Sequence, residues 1–454
     1  MQEEKDLFRP FVTASTSFEE ISKNIIGKNK DSYFDYTATG LAYAPIEERI
    51  QEILETYANT HSEFSGNAKK TSYYYDTARE NLKKHLALDK EFVVLPCGTG
   101  ATGAIKKFQE LIGIYIPPAT RKRFNIQCKE DETPLILVGP FEHHSNEISY
   151  REALCETIRI PLDASGNVDV KFLEKTLKNN SSRKIIGAFS TASNVTGIIP
   201  PYEKISVLLR KYNAIVAFDS AASSPCLNVD CKLFDAMFLS PHKLLGGPST
   251  CGLLVIRKSL IDENSPPTFA GGGTVAYVSS KEHIFNSDIE IREDAGTPAI
   301  LQLIKASFVY QLRNEIGIQR IQNKKIILFQ TLKEALYKFD DCVIYGEHEK
   351  HDSVGILAIN FKDVDPFLLC EKLSQDFGVQ TRAGCSCAGP YGHDLFGIES
   401  TKSKEKSPSW LRISVNYTHN ESALKHLISA LASSTKILRN TLTYSKFSHY
   451  TKKT

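Results

Sequence analysis

Between about residues 92 and 256 the chain repeats one unit: a short unbroken apolar run, a polar break, an amphipathic stretch, then another apolar run. The runs are Phe92–Leu95, Leu135–Val138, Lys184–Phe189, Ala214–Phe218, Ala236–Leu239 and Gly252–Ile256. A strand that is apolar without alternation must be covered on both faces. The stretches between supply the cover, as in Tyr202 to Tyr212, where Ile205, Leu208 and Leu209 share one side of a helix. Strand–helix–strand repetition of this kind predicts a largely parallel sheet between two layers of helices. Ahead of it, Pro45 to Tyr57 reads as a helix opened by proline, with Ile46, Ile50, Ile53 and Tyr57 in a stripe.

After about residue 310 the pattern changes. Val354 to Phe361 alternates as a strand does. A helix then runs from its cap Asp365, through Pro366 in the first turn, to its stop Gly378. Thr418-His-Asn-Glu421 has the spacing of a capping box before an apolar-periodic helix through Leu431. This predicts a smaller α+β unit. The polar segments Arg121–Pro134 and Glu399–Ser409 read as surface insertions. Among 454 residues, 55 Lys and Arg face 53 Asp and Glu, which leaves a formal charge of +2 and no basic surplus for coating nucleic acid. No run nears the roughly 18 apolar residues of a membrane span, and the charged N-terminus lacks a secretory leader. A cytoplasmic protein is expected, with no membrane and no nucleic-acid partner.

Ten cysteines are scattered along the chain, with no paired CxxC motifs, so neither a disulfide scaffold nor a metal site is expected. Four motifs stand where strands end. Gly98-Thr-Gly-Ala-Thr-Gly103 opens a helix and suits a phosphate. It also fits a dinucleotide fingerprint, but the acidic partner expected about 20 residues on is missing. Ser240-Pro-His-Lys243 places a lysine among small and polar residues, where desolvation lets an amine form a Schiff base; the bland alternative is a surface lysine leaving a strand. Asp219 ends an apolar strand, as a ligand group or as a turn cap. Glu142-His-His-Ser-Asn146 puts two imidazoles past another strand end, for stacking or hydrogen bonding.

Taken in this order, the four motifs resemble those of a fold-type I pyridoxal-phosphate enzyme of the class V aminotransferase family, on its cysteine desulfurase and selenocysteine lyase branch. The resemblance runs from Tyr33-Phe-Asp-Tyr-Thr-Ala-Thr-Gly40 to Arg412-Ile-Ser-Val-Asn-Tyr417. It implies an N-terminal segment over 1–32, a large cofactor domain over 33–305 with a mainly parallel seven-stranded sheet, and a small C-terminal domain over 306–454. Pyridoxal 5'-phosphate is the implied cofactor, carried by Lys243. Asp219 would pair with the pyridine nitrogen, and His143 would stack on the ring and act catalytically as a proton shuttle. Ala101, Thr102, Ser240 and His242 would hold the phosphate, with Asn194 near the reacting centre. Thr297, in Glu293-Asp-Ala-Gly-Thr-Pro298, would reach the phosphate of a partner subunit, which implies a homodimer. Arg412, with Arg382, would bind the carboxylate of an amino-acid substrate.

Arg382-Ala-Gly-Cys-Ser-Cys-Ala-Gly-Pro390 is similar to the desulfurase loop Arg-x-Gly-His-His-Cys-Ala-x-Pro. The resemblance makes Cys387 the nucleophile that takes sulfur from L-cysteine as a persulfide, releasing alanine, before a sulfur-acceptor protein collects it. The chain departs from the family at three places. Cys385 and Ser386 replace two histidines, Ala222 replaces the glutamine three residues after the pyridine aspartate, and the stretch between Cys387 and Arg412 is longer. Cys385 reads equally as a resolving or relay thiol and as a tolerated small residue, and His393 as a substitute proton donor or a structural residue. Alternative activities are transamination, epimerisation or β-elimination on an amino acid. A catalytically quiet cofactor-binding scaffold and, from the glycine string alone, a nicotinamide enzyme also stand as alternatives.

Overall fold

The computed structural model describes residues 6–60, 62, 64–126, 133–346, 348–398 and 408–450, with side chains through 440. The repeat closes into a seven-stranded sheet: β1 (Phe92–Cys97), β2 (Leu135–Val138), β3 (Glu156–Arg159), β4 (Ile185–Ser190), β5 (Ile215–Asp219), β6 (Ala236–Leu239) and β7 (Gly252–Arg257). Their spatial order is β1-β7-β6-β5-β4-β2-β3, with β7 alone antiparallel to its neighbours. All six apolar runs are strands. The seventh, β3, lies at the sheet edge with each residue half-buried, so its sequence Glu-Thr-Ile-Arg carries no apolar run.

Alternate residues of these strands enter two different cores. Val94, Leu137, Phe189, Val216, Phe218 and Leu253 pack on one face, and Val93, Leu95, Ile136, Ile186, Ala217 and Leu254 on the other. The second face is covered by the helix Gly100–Leu111 through Ala104, Ile105 and Phe108, while the helices Gly66–His85, through Ala78 and Leu82, and Tyr202–Lys211, through Ile205 and Leu209, pack on the first. Each fully buried Leu, Ile or Val adds about 1.5–3 kcal/mol, so the sheet is a stiff base for the loops at its edge.

The second sheet, β8 (Cys342–Tyr345), β9 (Ile356–Phe361), β10 (Arg382–Gly384) and β11 (Trp410–Ser414), is antiparallel in the order β8-β9-β11-β10. Leu357, Ile359, Leu411 and Ile413 pack against Leu369, Leu373, Leu424, Leu427 and Leu431 from the helices Pro366–Phe377 and Glu421–Tyr450. Asp365 caps the first of these helices through Phe367 N–H and Leu368 N–H, and Gly378 ends it in the left-handed region, as expected. The capping box does not form. Asn420 accepts from Ala423 N–H instead, while Thr418 turns its hydroxyl to Asn416 Oδ1.

Of the two expected insertions, the first begins inside a short helix, Pro118–Phe124, while residues 127–132 of the first and 399–407 of the second lie outside the described residues. Asp35 bridges to Ser414 of the second sheet, Tyr33 to Gln380 just ahead of β10, and Gly40 N–H reaches His242 O, so one N-terminal stretch stitches the second sheet to the Lys243 loop. Among the described residues no helix is long and apolar enough to cross a membrane.

Candidate active site

Five loops follow β1, β2, β4, β5 and β6 at their C-terminal ends, where ligands of open α/β sheets sit. Together with the β10 turn and the Tyr33–Gly40 stretch they enclose a cavity of about 290 Å3, close to the lower end of the roughly 300–1,000 Å3 usual for small-molecule sites. Ala101, Thr102, His143, Asn194, Asp219, Ser240, His242, Lys243, Arg382, Cys387 and Arg412 all line it. Residues scattered over 311 positions of sequence thus meet in one cavity. Thr297 does not: it lies outside, exposed, and accepts a hydrogen bond from Asn59 Nδ2 at 3.1 Å.

One end of the cavity is built for an anion. The helix Gly100–Leu111 starts there, its first N–H groups unpaired within the helix. Ala101 N–H donates to Ser240 Oγ at 2.8 Å, and Thr102 Oγ1 lies 2.7 Å from Ser145 Oγ. Gly100 has φ +63°, and a Cβ there would meet the His242 ring at 2.7 Å, so the close approach of loop and imidazole requires glycine. Burial, with the nearby Lys243, pushes His242 down to about 4. At neutral pH it therefore acts as an uncharged hydrogen-bonding ring.

Lys243 lines the cavity between these loops. Burial is the main reason its amine is pushed down to about 8, and Arg412 adds to this; Asp219 and Asp35 oppose it. Asp219, 6% exposed, accepts from Ala221 N–H at 2.9 Å through Oδ1, and burial raises its carboxyl above the usual range. His143, also pushed to about 4 by burial first and Lys243 second, accepts from Ser145 N–H at Nδ1, which fixes the ring. The adjoining Glu142 is fully enclosed and raised to about 8 by burial. It binds Ser190 N–H, Ser190 Oγ and Asn146 Nδ2, and so ties the β2 and β4 loops together.

Another part of the wall carries an ion-pair bridge that spacing does not reveal. Asp35, 7% exposed, accepts from Arg412 Nη2 and from Arg382 Nε, both at 2.9 Å. Arg412 Nη1 donates to Asn194 O, and its Nε is buried without a partner, as is Asn194 Oδ1. A buried donor and a buried acceptor left unpaired together, each costing about 1–3 kcal/mol, fit a site that a ligand completes. Asp35 and Glu142 are the residues that the sequence analysis left without a role. Their signal was position, inside the two quoted motifs, but their partners lie 377 and 48 residues away.

Cys387 is exposed and carries a free thiol; Cys385 is half-buried, free, and absent from the cavity wall. Ser386 and Cys387 have φ +53° and +54°, two successive left-handed residues without glycine, at about 1–2 kcal/mol each. The turn is held by Asn194 Nδ2 to Ser386 O at 2.7 Å and by Trp410 Nε1 to Ser386 Oγ at 3.1 Å.

The residues present fit pyridoxal 5'-phosphate. The helix start with Ser240 and His242 suits its phosphate, the amine of Lys243 its aldehyde, and the buried acid Asp219 its ring nitrogen. Comparison with known proteins points the same way. The family model for aminotransferase class-V matches residues 32–427. A probable cysteine desulfurase of Halalkalibacterium halodurans is 26% identical over 366 residues, 79% of this chain and 84% of that protein. One of Staphylococcus aureus is 26% identical over 380 residues, 82% and 86%. The solved apo structure of a cysteine desulfurase from Thermococcus onnurineus matches with a TM-score of 0.78 at 23% identity, over 92% of this chain and 98% of that one. A cysteine desulfurase structure from Escherichia coli matches with a TM-score of 0.75 at 22% identity, over 93% and 99%. The two structures share this fold.

Proposed function

This chain belongs to the aminotransferase class-V family, a family of pyridoxal-phosphate-dependent enzymes, and on that premise we propose that it is a cysteine desulfurase. It would move sulfur from L-cysteine onto Cys387 and release alanine. The observation that carries this reading is the presence of an amine, Lys243, and an exposed thiol, Cys387, in the wall of one cavity.

The cofactor, when bound, supplies an electron sink for carbanion charge next to the substrate nitrogen. Ala101 N–H, Thr102, Ser240 and His242 would bind its phosphate, Asp219 would hold a proton at the pyridine nitrogen, and the neutral ring of His143 would lie against it. Arg412, with Arg382 beside it, would bind the substrate carboxylate; Asp35 holds both guanidinium groups in place. Lys243, with an amine near neutral titration, moves the proton at the substrate α-carbon. The Cys387 thiolate then takes the substrate sulfur. An S–S bond forms as the substrate carbon–sulfur bond breaks, the electron pair stays with carbon, and protonation there gives alanine. The exposed persulfide is placed to pass its outer sulfur to a thiol of an acceptor protein.

Product analysis tests the reading. Protein reconstituted with pyridoxal 5'-phosphate and given L-cysteine and a thiol reductant should yield alanine and sulfide in equal amounts. A keto acid instead would assign transamination or β-elimination.

We also propose that the enzyme is a homodimer. Tyr277 (50% exposed) and Ile284 (61%) pair across a two-stranded hairpin and share one of its faces, and the exposed Phe269 lies on the segment that leads into it. Gly296 N–H to Gly272 O and Asn59 to Thr297 hold these pieces together. An apolar face of this kind suits a partner surface, and a second copy docked there would meet Thr297. Replacing Tyr277 and Ile284 by lysine should halve the mass seen by light scattering and weaken cofactor retention. A variant of unchanged mass would remove this interface.

A further inference from the structure

His143 and His144 are neighbours with different surroundings. The first lines the cavity; the second does not, and spends its polar groups on the loop that carries Cys387. His144 N–H donates to Cys387 O at 2.8 Å, and Gly389 N–H donates to His144 Nε2 at 2.9 Å. The two bonds straddle the residue between, so one imidazole and its own backbone span the turn. The fit is close: a Cβ on Gly389 would lie 3.2 Å from Nε2. On the far side the turn is tied through Ser386 to Asn194 and Trp410.

Because Nε2 accepts, the ring is neutral and its proton is on Nδ1, a tautomer assigned from the bonds. Burial lowers the titration of His144, as does Arg151; Glu147 opposes them. A turn in which Ser386 and Cys387 both hold left-handed backbone relaxes unless it is fixed from more than one side. His144 supplies the side that belongs to the β2 loop, the same loop that sets the His143 ring.

We infer that His144 is a positioning residue of the reaction, clamping the turn at Cys387 and Gly389 so that the thiol faces the cavity in one register. This rests on Cys387 as the sulfur acceptor. The clamp itself is a property of the free protein and is readable without turnover.

The experiment compares wild type with His144→Leu, which has no acceptor, and His144→Gln, whose side-chain oxygen reaches near the place of Nε2. Amide exchange of the peptide spanning 385–389, visible absorbance of the bound cofactor, and kcat and KM for L-cysteine are measured on each holoenzyme. The leucine variant should exchange the Gly389 amide about tenfold faster, the weight of one hydrogen bond. Its kcat should fall by a similar factor, with KM within about twofold and absorbance unchanged. The glutamine variant should restore both. Exchange and kcat at wild-type values in His144→Leu would overturn the inference, as would a loss of cofactor absorbance equal to the loss of kcat, which marks a general structural anchor. If wild type makes no alanine, the desulfurase reading fails, while the exchange measurement still decides whether His144 holds the loop.

Discussion

Replacing Lys243 by alanine should lower turnover by at least roughly 10³-fold, since both covalent attachment and proton movement at the substrate depend on one amine. The effect follows from where the amine sits. An ordinary lysine at pH 7 is almost wholly ammonium, but burial brings Lys243 to about 8, so about a tenth of it is free amine there. The titration shift has a definite sign. Attachment of pyridoxal 5'-phosphate to apoprotein should speed up as pH rises through about 8 and level off above it. The two imidazoles beside it, His143 and His242, stay neutral through this range, because both are pushed to about 4. Borohydride should erase the visible band of the holoenzyme and leave the cofactor fixed to the peptide containing Lys243. The alanine variant should show no such adduct. An adduct on another lysine would refute the assignment of the site.

Cys387→Ser is expected to separate cofactor chemistry from sulfur transfer. A serine hydroxyl is not ionised near pH 7 and does not attack sulfur as a thiolate does. Alanine and sulfide formation should therefore fall by about 10²–10³-fold, while the borohydride adduct on Lys243 and the visible band remain. Cys385→Ser should keep alanine formation within about twofold of wild type, since Cys385 is absent from the cavity wall and packs against the core. If the serine variants at 385 and 387 behave in the opposite order, the accepting thiol has been assigned to the wrong residue of the pair.

Much of this protein can be read from its sequence, and the reasons differ by feature. The six apolar runs became strands because a residue sealed on both faces has to be apolar whichever way it points. The edge strand Glu156–Arg159, wet on its free side, has no such constraint and left no pattern. Motifs at strand ends converged because parallel strands deliver their C-terminal loops to one edge, so strand order alone brings Gly100, His143, Asn194, Asp219 and Lys243 together. What the sequence hid was long-range pairing. Asp35 between Arg382 and Arg412, and Glu142 beneath Ser190, join residues whose separation follows no period. The cap at Asn420 was hidden for a local reason. Thr418 and Asn420 can each accept an N-terminal N–H, and the bond from Thr418 to Asn416 decides between them. The left-handed turn at Ser386 and Cys387 has no glycine to announce it.

The central claim is that Cys387 takes sulfur from a cofactor-bound cysteine. Mass spectrometry of the holoenzyme after a single turnover with L-cysteine, without reductant, tests it most directly. The account predicts one added sulfur atom on the peptide containing Cys387, removable by a thiol reductant, together with one alanine per labelled site. Alanine released with no sulfur on Cys387, or sulfur found on Cys385 in its place, would contradict it.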